Sequence, residues 1–246
     1  MTLTLRYLHA VDNRAAWESE ADAWVKWART PGHDAYWQFR TAFFNDVVPQ
    51  PRRRTLEVGC GEGRVARDLV ARGHEVTAVD GSPTLLRHAV DADSKSRYCL
   101  ADSVALPFKD ASFDLAIAYN SLMDFDDMPT ALQEIARVLE VDGHLCICMP
   151  HPFLEAGSFE NASTDAAYRL TKSYLGSRTF DSIEERDGLS MHFTGWSRSL
   201  EEYVAALATA GYVIEDLREP VPESRNGRYE RWHRYPMFLN LRACKR

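Results

Sequence analysis

The chain has 246 residues, 45% of them hydrophobic and 26% charged, a balance that excludes disordered, collagen-like and coiled-coil chains and suits one well-filled α/β core. A formal charge of −7 argues against a sequence-independent grip on nucleic acid, and no apolar run reaches the roughly 20 residues that span a bilayer. Met1–Ala10 lacks the pattern of a secretion signal, and the five scattered cysteines (Cys60, Cys99, Cys146, Cys148, Cys244) suggest neither a disulfide framework nor a metal site, so a reduced, cytoplasmic, metal-free protein is expected.

Residues 12–48 read as two aromatic helices, with Trp17, Ala21, Trp24 and Ala28 in helical spacing and a break at Thr30-Pro31-Gly32. Two readings stand for this segment: helices packed on a core, or a lid whose aromatic side chains line a pocket. From Thr55 onward short apolar strands alternate with helices. Thr55–Val58 is a strand ending in Gly59-Cys60-Gly61-Glu62-Gly63, and a helix follows and closes at Gly73. Glu75–Val79 is the second strand, with Asp80 at its end and Ser82-Pro83 opening a helix. Tyr98–Ala101 and Phe113–Ala118 are further strands, and a helix over Thr130–Leu139 leads through Asp142-Gly143 into the strand Leu145–Met149. Cys146 and Cys148 share one face of that strand, which suits packing.

The rhythm stops after Pro150. Within 151–198, Arg178–Glu184 and Leu189–Thr194 fit a hairpin around Asp187-Gly188. Ser199 and Glu202 then form a capping box, the helix runs to Ala210, and Gly211 suits a left-handed cap. Tyr212–Leu217 and Pro236–Ala243 are two last strands with no helix between them, an antiparallel pair closing the sheet. The fold expected is a doubly wound, mostly parallel seven-stranded α/β sheet with its last strand antiparallel. Residues 1–50 would form a helical N-terminal lid on a Rossmann-like domain over 51–246, with 151–198 as a substrate-capping insertion.

The glycine loop has the spacing Glu57-x-Gly59-x-Gly61-x-Gly63, whereas a dinucleotide-binding loop would place its third glycine at position 64, which is Arg64. A carboxylate two residues before the first glycine would repel a pyrophosphate and suits a cationic ammonium group. The run Ala105-Leu-Pro-Phe-x-Asp-x-Ser-Phe-Asp114 and the helix and turn Glu134-Ile-Ala-Arg-Val-Leu-x-x-x-Gly143 follow in order. With the glycine loop they resemble the class I S-adenosylmethionine-dependent methyltransferases, more narrowly the small-molecule group called methyltransferase type 11. The resemblance is strong over 51–150 and looser over 199–217.

The resemblance implies S-adenosyl-L-methionine as cofactor and S-adenosyl-L-homocysteine as product. It places Glu57, Gly59, Cys60, Gly61 and Gly63 near the methionine part of the cofactor and Asp80, with Gly81 and Ser82, at the ribose hydroxyls. Asp102, with Ser103, falls at the adenine amino group. Tyr119 follows strand four at the carboxyl edge and either borders the cofactor or packs, and Tyr36 is a candidate for closing the lid over it. Methyl transfer mainly needs alignment, with a base only where the acceptor is protonated at neutral pH. His151, between two prolines at the end of strand five, is the first candidate base, and His33 the second. The function expected is methyl transfer to an O, N or C atom of a small aromatic or apolar metabolite, with no nucleic acid, membrane or metal involved. The alternative is a cofactor-binding protein of this fold with non-methylating chemistry or a regulatory role. An RNA methyltransferase, suggested only by the arginines of 225–234, ranks behind both.

Overall fold

The computed structural model describes residues 12–51, 54–93, 95–225 and 227–246. The reading of Met1–Ala10, and residues 1–11 of the N-terminal segment, lie outside the described residues.

Asp12 caps the first helix, α1 (Asn13–Arg29), by accepting from the Ala15 N–H at 3.0 Å. Its apolar stripe of Ala21 and Val25 packs on Leu85. The chain breaks at Thr30–Gly32, where Gly32 has φ +69°, and restarts as α2 (Tyr36–Ala42), continued by a π-helical turn at Phe43–Val47. The βα alternation follows as β1 (Thr55–Val58), α3 (Arg64–Ala71), β2 (Val76–Asp80), α4 (Pro83–Ala92), β3 (Arg97–Leu100), β4 (Phe113–Tyr119), α5 (Met128–Val138) and β5 (Leu139–Pro150). Two elements are longer than their sequence patterns. The side chain of Asp127 caps α5, and Pro129 sits in its first turn, so the helix starts ahead of Thr130. Asp142-Gly143, read as a turn before strand five, is a kink inside it, with Asp142 at φ +60°.

Residues 151–198 hold two small antiparallel pairs, β6 (Gly157–Phe159) with β7 (Tyr168–Leu170) and β8 (Arg178–Arg186) with β9 (Leu189–Ser197). Asp187 and Gly188 both take positive φ in the two-residue hairpin turn, the geometry that matches strand twist. After α6 (Leu200–Thr209) come β10 (Tyr212–Arg218) and β11 (Phe238–Lys245). A short 3-10 helix, Gly227–His233, lies between them where no helix was expected, anchored by the buried Tyr229 against Phe39.

The main sheet has seven strands in the order β10-β11-β5-β4-β1-β2-β3, all parallel except β11, which runs antiparallel to both neighbours. Alternate residues separate its faces. Leu56, Val58, Ala116, Leu145 and Ile147 pack with α5 and α6, while Leu115, Ile117, Cys146 and Cys148 pack with α2, the π turn and α3. Each fully buried side chain such as Ile117 contributes roughly 1.5–3 kcal/mol relative to exposure. All five cysteines are free. Among the described residues no helix is long and apolar enough to cross a membrane.

Candidate active site

A cavity of about 730 Å³ opens where β1, β2, β4 and β5 end, at the carboxyl edge of the sheet. The glycine loop forms one side. Gly59 (φ +75°) and Gly61 (φ +54°) occupy the left-handed region, and a Cβ on Gly59 would lie 2.5 Å from the Cβ of Ser121. Ser121 closes this contact by donating to the Val58 carbonyl at 2.8 Å, so the loop after β4 sits directly against the loop after β1.

Most of the site residues read from the sequence meet here. Glu57, Gly59, Cys60, Gly61, Asp80, Gly81, Ser82, Asp102, Ser103, Tyr119 and Tyr36 all line the cavity. The Gly61 and Ser82 N–H groups donate to the two oxygens of Asp80 at 2.7 and 2.8 Å, which fixes the carboxylate and leaves its other lone pairs for a ligand. Burial raises the Asp80 carboxyl, and these N–H bonds pull against that. Glu57 is fully buried, and its Oε2 has no hydrogen-bond partner. Burial, reinforced by Asp80 and Glu62, holds its carboxyl well above the usual carboxylate range. Asp102 is exposed at the rim and accepts from the Val104 N–H at 3.1 Å. Burial pushes the Cys60 thiol up, which leaves it unreactive. Tyr119 is packed edge-on between Tyr36 and Phe43. Tyr36 donates its hydroxyl to Asp68 at 2.5 Å.

Three candidates are placed elsewhere. Gly63 is the left-handed residue before α3, and its bare Cα admits Tyr98 and Ala89, so its glycine serves packing. Neither histidine is on the cavity wall. His151 pairs through Nε2 with Glu219 at 3.1 Å and lies against the Phe153 ring, so Pro150, not His151, reaches the cavity. Burial lowers the His151 pKa, against the pull of Glu219. His33 is buried edge-on against Trp27, with Nδ1 3.4 Å from Asp187.

The other side of the cavity is built from α1, the start of α2, the turn after β4 and the hairpin β8–β9. Trp17, Trp24 and Trp27 meet Phe193 edge-on, with centroids 5.8–6.5 Å apart, and Phe180 adds to this wall. Several residues that hold the wall have no motif to announce them. Asp126 accepts from the Asn13 amide at 2.7 Å and the Trp196 indole at 2.9 Å, and Thr194 donates to Asn13, so three distant segments meet at one carboxylate. The buried Arg198 donates to the carbonyls of Leu122 (3.3 Å) and Phe125 (2.8 Å), bracketing the turn that carries Asp124 into the cavity. Arg64, read only as a missing glycine, bonds Asp34 and lies over the rings of Tyr36 and Trp24 at 4.3 and 4.9 Å. Glu62, 1% exposed, takes Arg29 of α1 and Arg67 of α3 at 2.6 and 2.8 Å. The acid-rich run Asp124-Phe-Asp-Asp127 directly after strand four was the one available sequence signal.

Residues 56–147 match the family model described as a methyltransferase domain. A malonyl-[acyl-carrier protein] O-methyltransferase of Erwinia pyrifoliae is 38% identical over 92 residues, covering 37% of this chain and 35% of the relative. An O-methyltransferase of Aspergillus nomiae is 38% identical over 113 residues, covering 43% of this chain and 49% of the relative. The chain thus spans about a third to a half of the curated relatives it matches. Among solved structures, an S-adenosylmethionine-dependent methyltransferase from Mesorhizobium loti superimposes with a TM-score of 0.67 at 23% identity, over 86% of this chain and 98% of that one. The chain has the fold of the S-adenosylmethionine-dependent methyltransferases, and its residues 56–147 are similar to a methyltransferase domain.

Proposed function

We propose that this protein transfers a methyl group from S-adenosylmethionine to an O, N or C atom of a small aromatic or apolar acceptor. One observation carries the reading: the glycine loop, the orphaned carboxylate of Glu57 and the doubly held carboxylate of Asp80 line the same cavity as the tryptophan wall. The fit to the cofactor is chemical. A buried carboxylate oxygen without a partner calls for a cation, which the methionine ammonium supplies, and Asp80 retains lone pairs for two ribose hydroxyls. Asp102 at the rim suits the adenine amino group. When bound, the cofactor brings an activated methyl group with its own leaving group. The chain's part is then to align and to desolvate: Gly59 and Gly61 allow close backbone approach, and Tyr119, Trp17 and Phe193 exclude water where the acceptor would lie.

A small acceptor is also supported by the arginines of 225–234. Arg231 lies over the Phe159 ring at 4.2 Å, Arg228 is 3.6 Å from Asp187, and Arg234 donates to the carbonyls of Thr164 and Ala166. These three are engaged within the fold, and with Arg225 exposed at the start of the run no open row for phosphates forms among the other three. The test is calorimetry with S-adenosylmethionine, S-adenosylhomocysteine and NADH. Binding of the first two and not the third is expected, and binding of NADH alone would overturn the reading. Mass spectrometry of candidate acceptors should then find the gain of one methylene.

A further inference from the structure

Asp124 is one of several carboxyl groups on the cavity wall that the cofactor reading leaves unused. It ends the short 3-10 turn Leu122–Asp124, whose neighbours Ser121 and Phe125 are the side chains facing Gly59. Arg198 brackets that turn through the carbonyls of Leu122 and Phe125, so Asp124 stands on a fixed mount beside the glycine loop. Its surroundings are on the acceptor side: Trp17, whose buried indole N–H has no hydrogen-bond partner among the described residues, Phe180 and Phe193 line the same wall. Gly195 leaves it room, since a Cβ there would lie 3.2 Å from Asp124 Oδ1 and 2.9 Å from the Phe180 ring. The charges nearby are unbalanced. Glu155 and Glu184 also line the cavity, and of its three described arginines Arg64 is paired with Asp34, Arg186 lies over Trp27 and donates to the His33 carbonyl, and Arg14 donates to the Gly81 carbonyl.

We infer that Asp124 receives the acceptor's proton, and that the acceptor of this cavity is an uncharged or cationic molecule presenting an O–H or N–H on an aromatic or apolar body. The inference rests on the methyl-transfer reading and names its substrate class. In the step, the acceptor's oxygen or nitrogen forms a bond to the methyl carbon as the carbon–sulfur bond breaks. That bond's electron pair goes to sulfur, which becomes a neutral thioether, and the acceptor's proton passes to the Asp124 carboxylate. An amine that arrives as ammonium instead gives up one proton to that carboxylate before attack, and the product leaves as the methylammonium with its remaining protons. Burial raises the Asp124 carboxyl well above its ordinary range, reinforced by Asp80 and Asp126 and opposed by the Trp17 N–H and Arg198. That brings it nearer the working pH of a general base. A carboxylate acceptor is disfavoured, because it would sit against Asp124 in a wall where, among the described residues, carboxyl groups outnumber arginines.

Three probes of matched shape test this by calorimetry on protein saturated with S-adenosylhomocysteine: naphthol, naphthylmethylamine and naphthoate. At neutral pH naphthoate should bind at least about tenfold more weakly than naphthol, the scale of an uncompensated like-charge contact. Asp124→Asn should bring the two within about threefold of each other while the melting temperature stays near wild type. Asp124→Ser gives the same comparison should the amide variant not fold. Equal binding of naphthoate in the wild type, an unmoved ratio in the variants, or no binding of naphthol and naphthylmethylamine overturns the inference. Failure of S-adenosylhomocysteine itself to bind overturns the underlying function instead.

Discussion

Asp80 and Glu57 stand in the same cavity with opposite degrees of satisfaction, and their variants should behave differently. Asp80 accepts two backbone N–H groups and is proposed to hold the ribose. Asp80→Ala should cost about 1.5–3 kcal/mol of S-adenosylmethionine binding, the range for hydrogen bonds to a charged group, read as an affinity loss by calorimetry. Glu57 is a buried carboxyl with one oxygen unpartnered. Because its folded-state pKa is raised, its contribution to stability is present below the unfolded value near 4.5 and is lost as pH rises through the folded value. Glu57→Gln should therefore melt at a higher temperature than wild type at neutral pH, and the gap should close as pH falls towards 4.5. The same variant should bind cofactor more weakly, since an amide cannot neutralise an ammonium. Both residues were legible in the sequence because backbone spacing after a strand fixes where they lie. His151 was not, because two flanking prolines restrain the backbone but leave the ring free to find Glu219 and Phe153.

The helices and the hairpin over the site are held by few, well-placed polar contacts. The Asp34–Arg64 pair joins the start of α2 to α3 with side chains only 9% and 13% exposed. Asp34→Ala leaves a buried guanidinium without its partner and should lower stability by about 3–5 kcal/mol in urea unfolding. Asp126 joins α1, the turn after β4 and β9. In Asp126→Ala, amide exchange should accelerate in 13–29 and 178–197 while the sheet keeps its protection, and equal acceleration everywhere would contradict a local role. Period and capping made these elements readable: Ser82, Ser199 with Glu202, and Asp187-Gly188 do what their residue types suggest. The ties between them were not readable, since Asn13, Asp126 and Trp196 are far apart in sequence and each is ordinary alone.

Across the whole molecule, the alternation of strand and helix was legible because parallel strands buried on both faces leave an apolar signature that few other arrangements produce. The course of 151–198 was less so, because short antiparallel pairs depend on what they rest against. If the cofactor binds the folded chain alone, S-adenosylmethionine at a hundred times its dissociation constant should add about 2.7 kcal/mol of stability, visible as a raised melting temperature. The chamber proposed to receive the acceptor draws much of its aromatic wall from Trp17, Trp24, Trp27, Phe180 and Phe193. None of these falls inside 56–147, the stretch that matches the methyltransferase family model. The family match therefore falls in one part of the chain and most of the aromatic wall in another, with Asp124 and Tyr119 inside the first. Lineages sharing the first can drift apart in the molecules they modify by altering the second, with the glycine loop and its carboxylates left as they are.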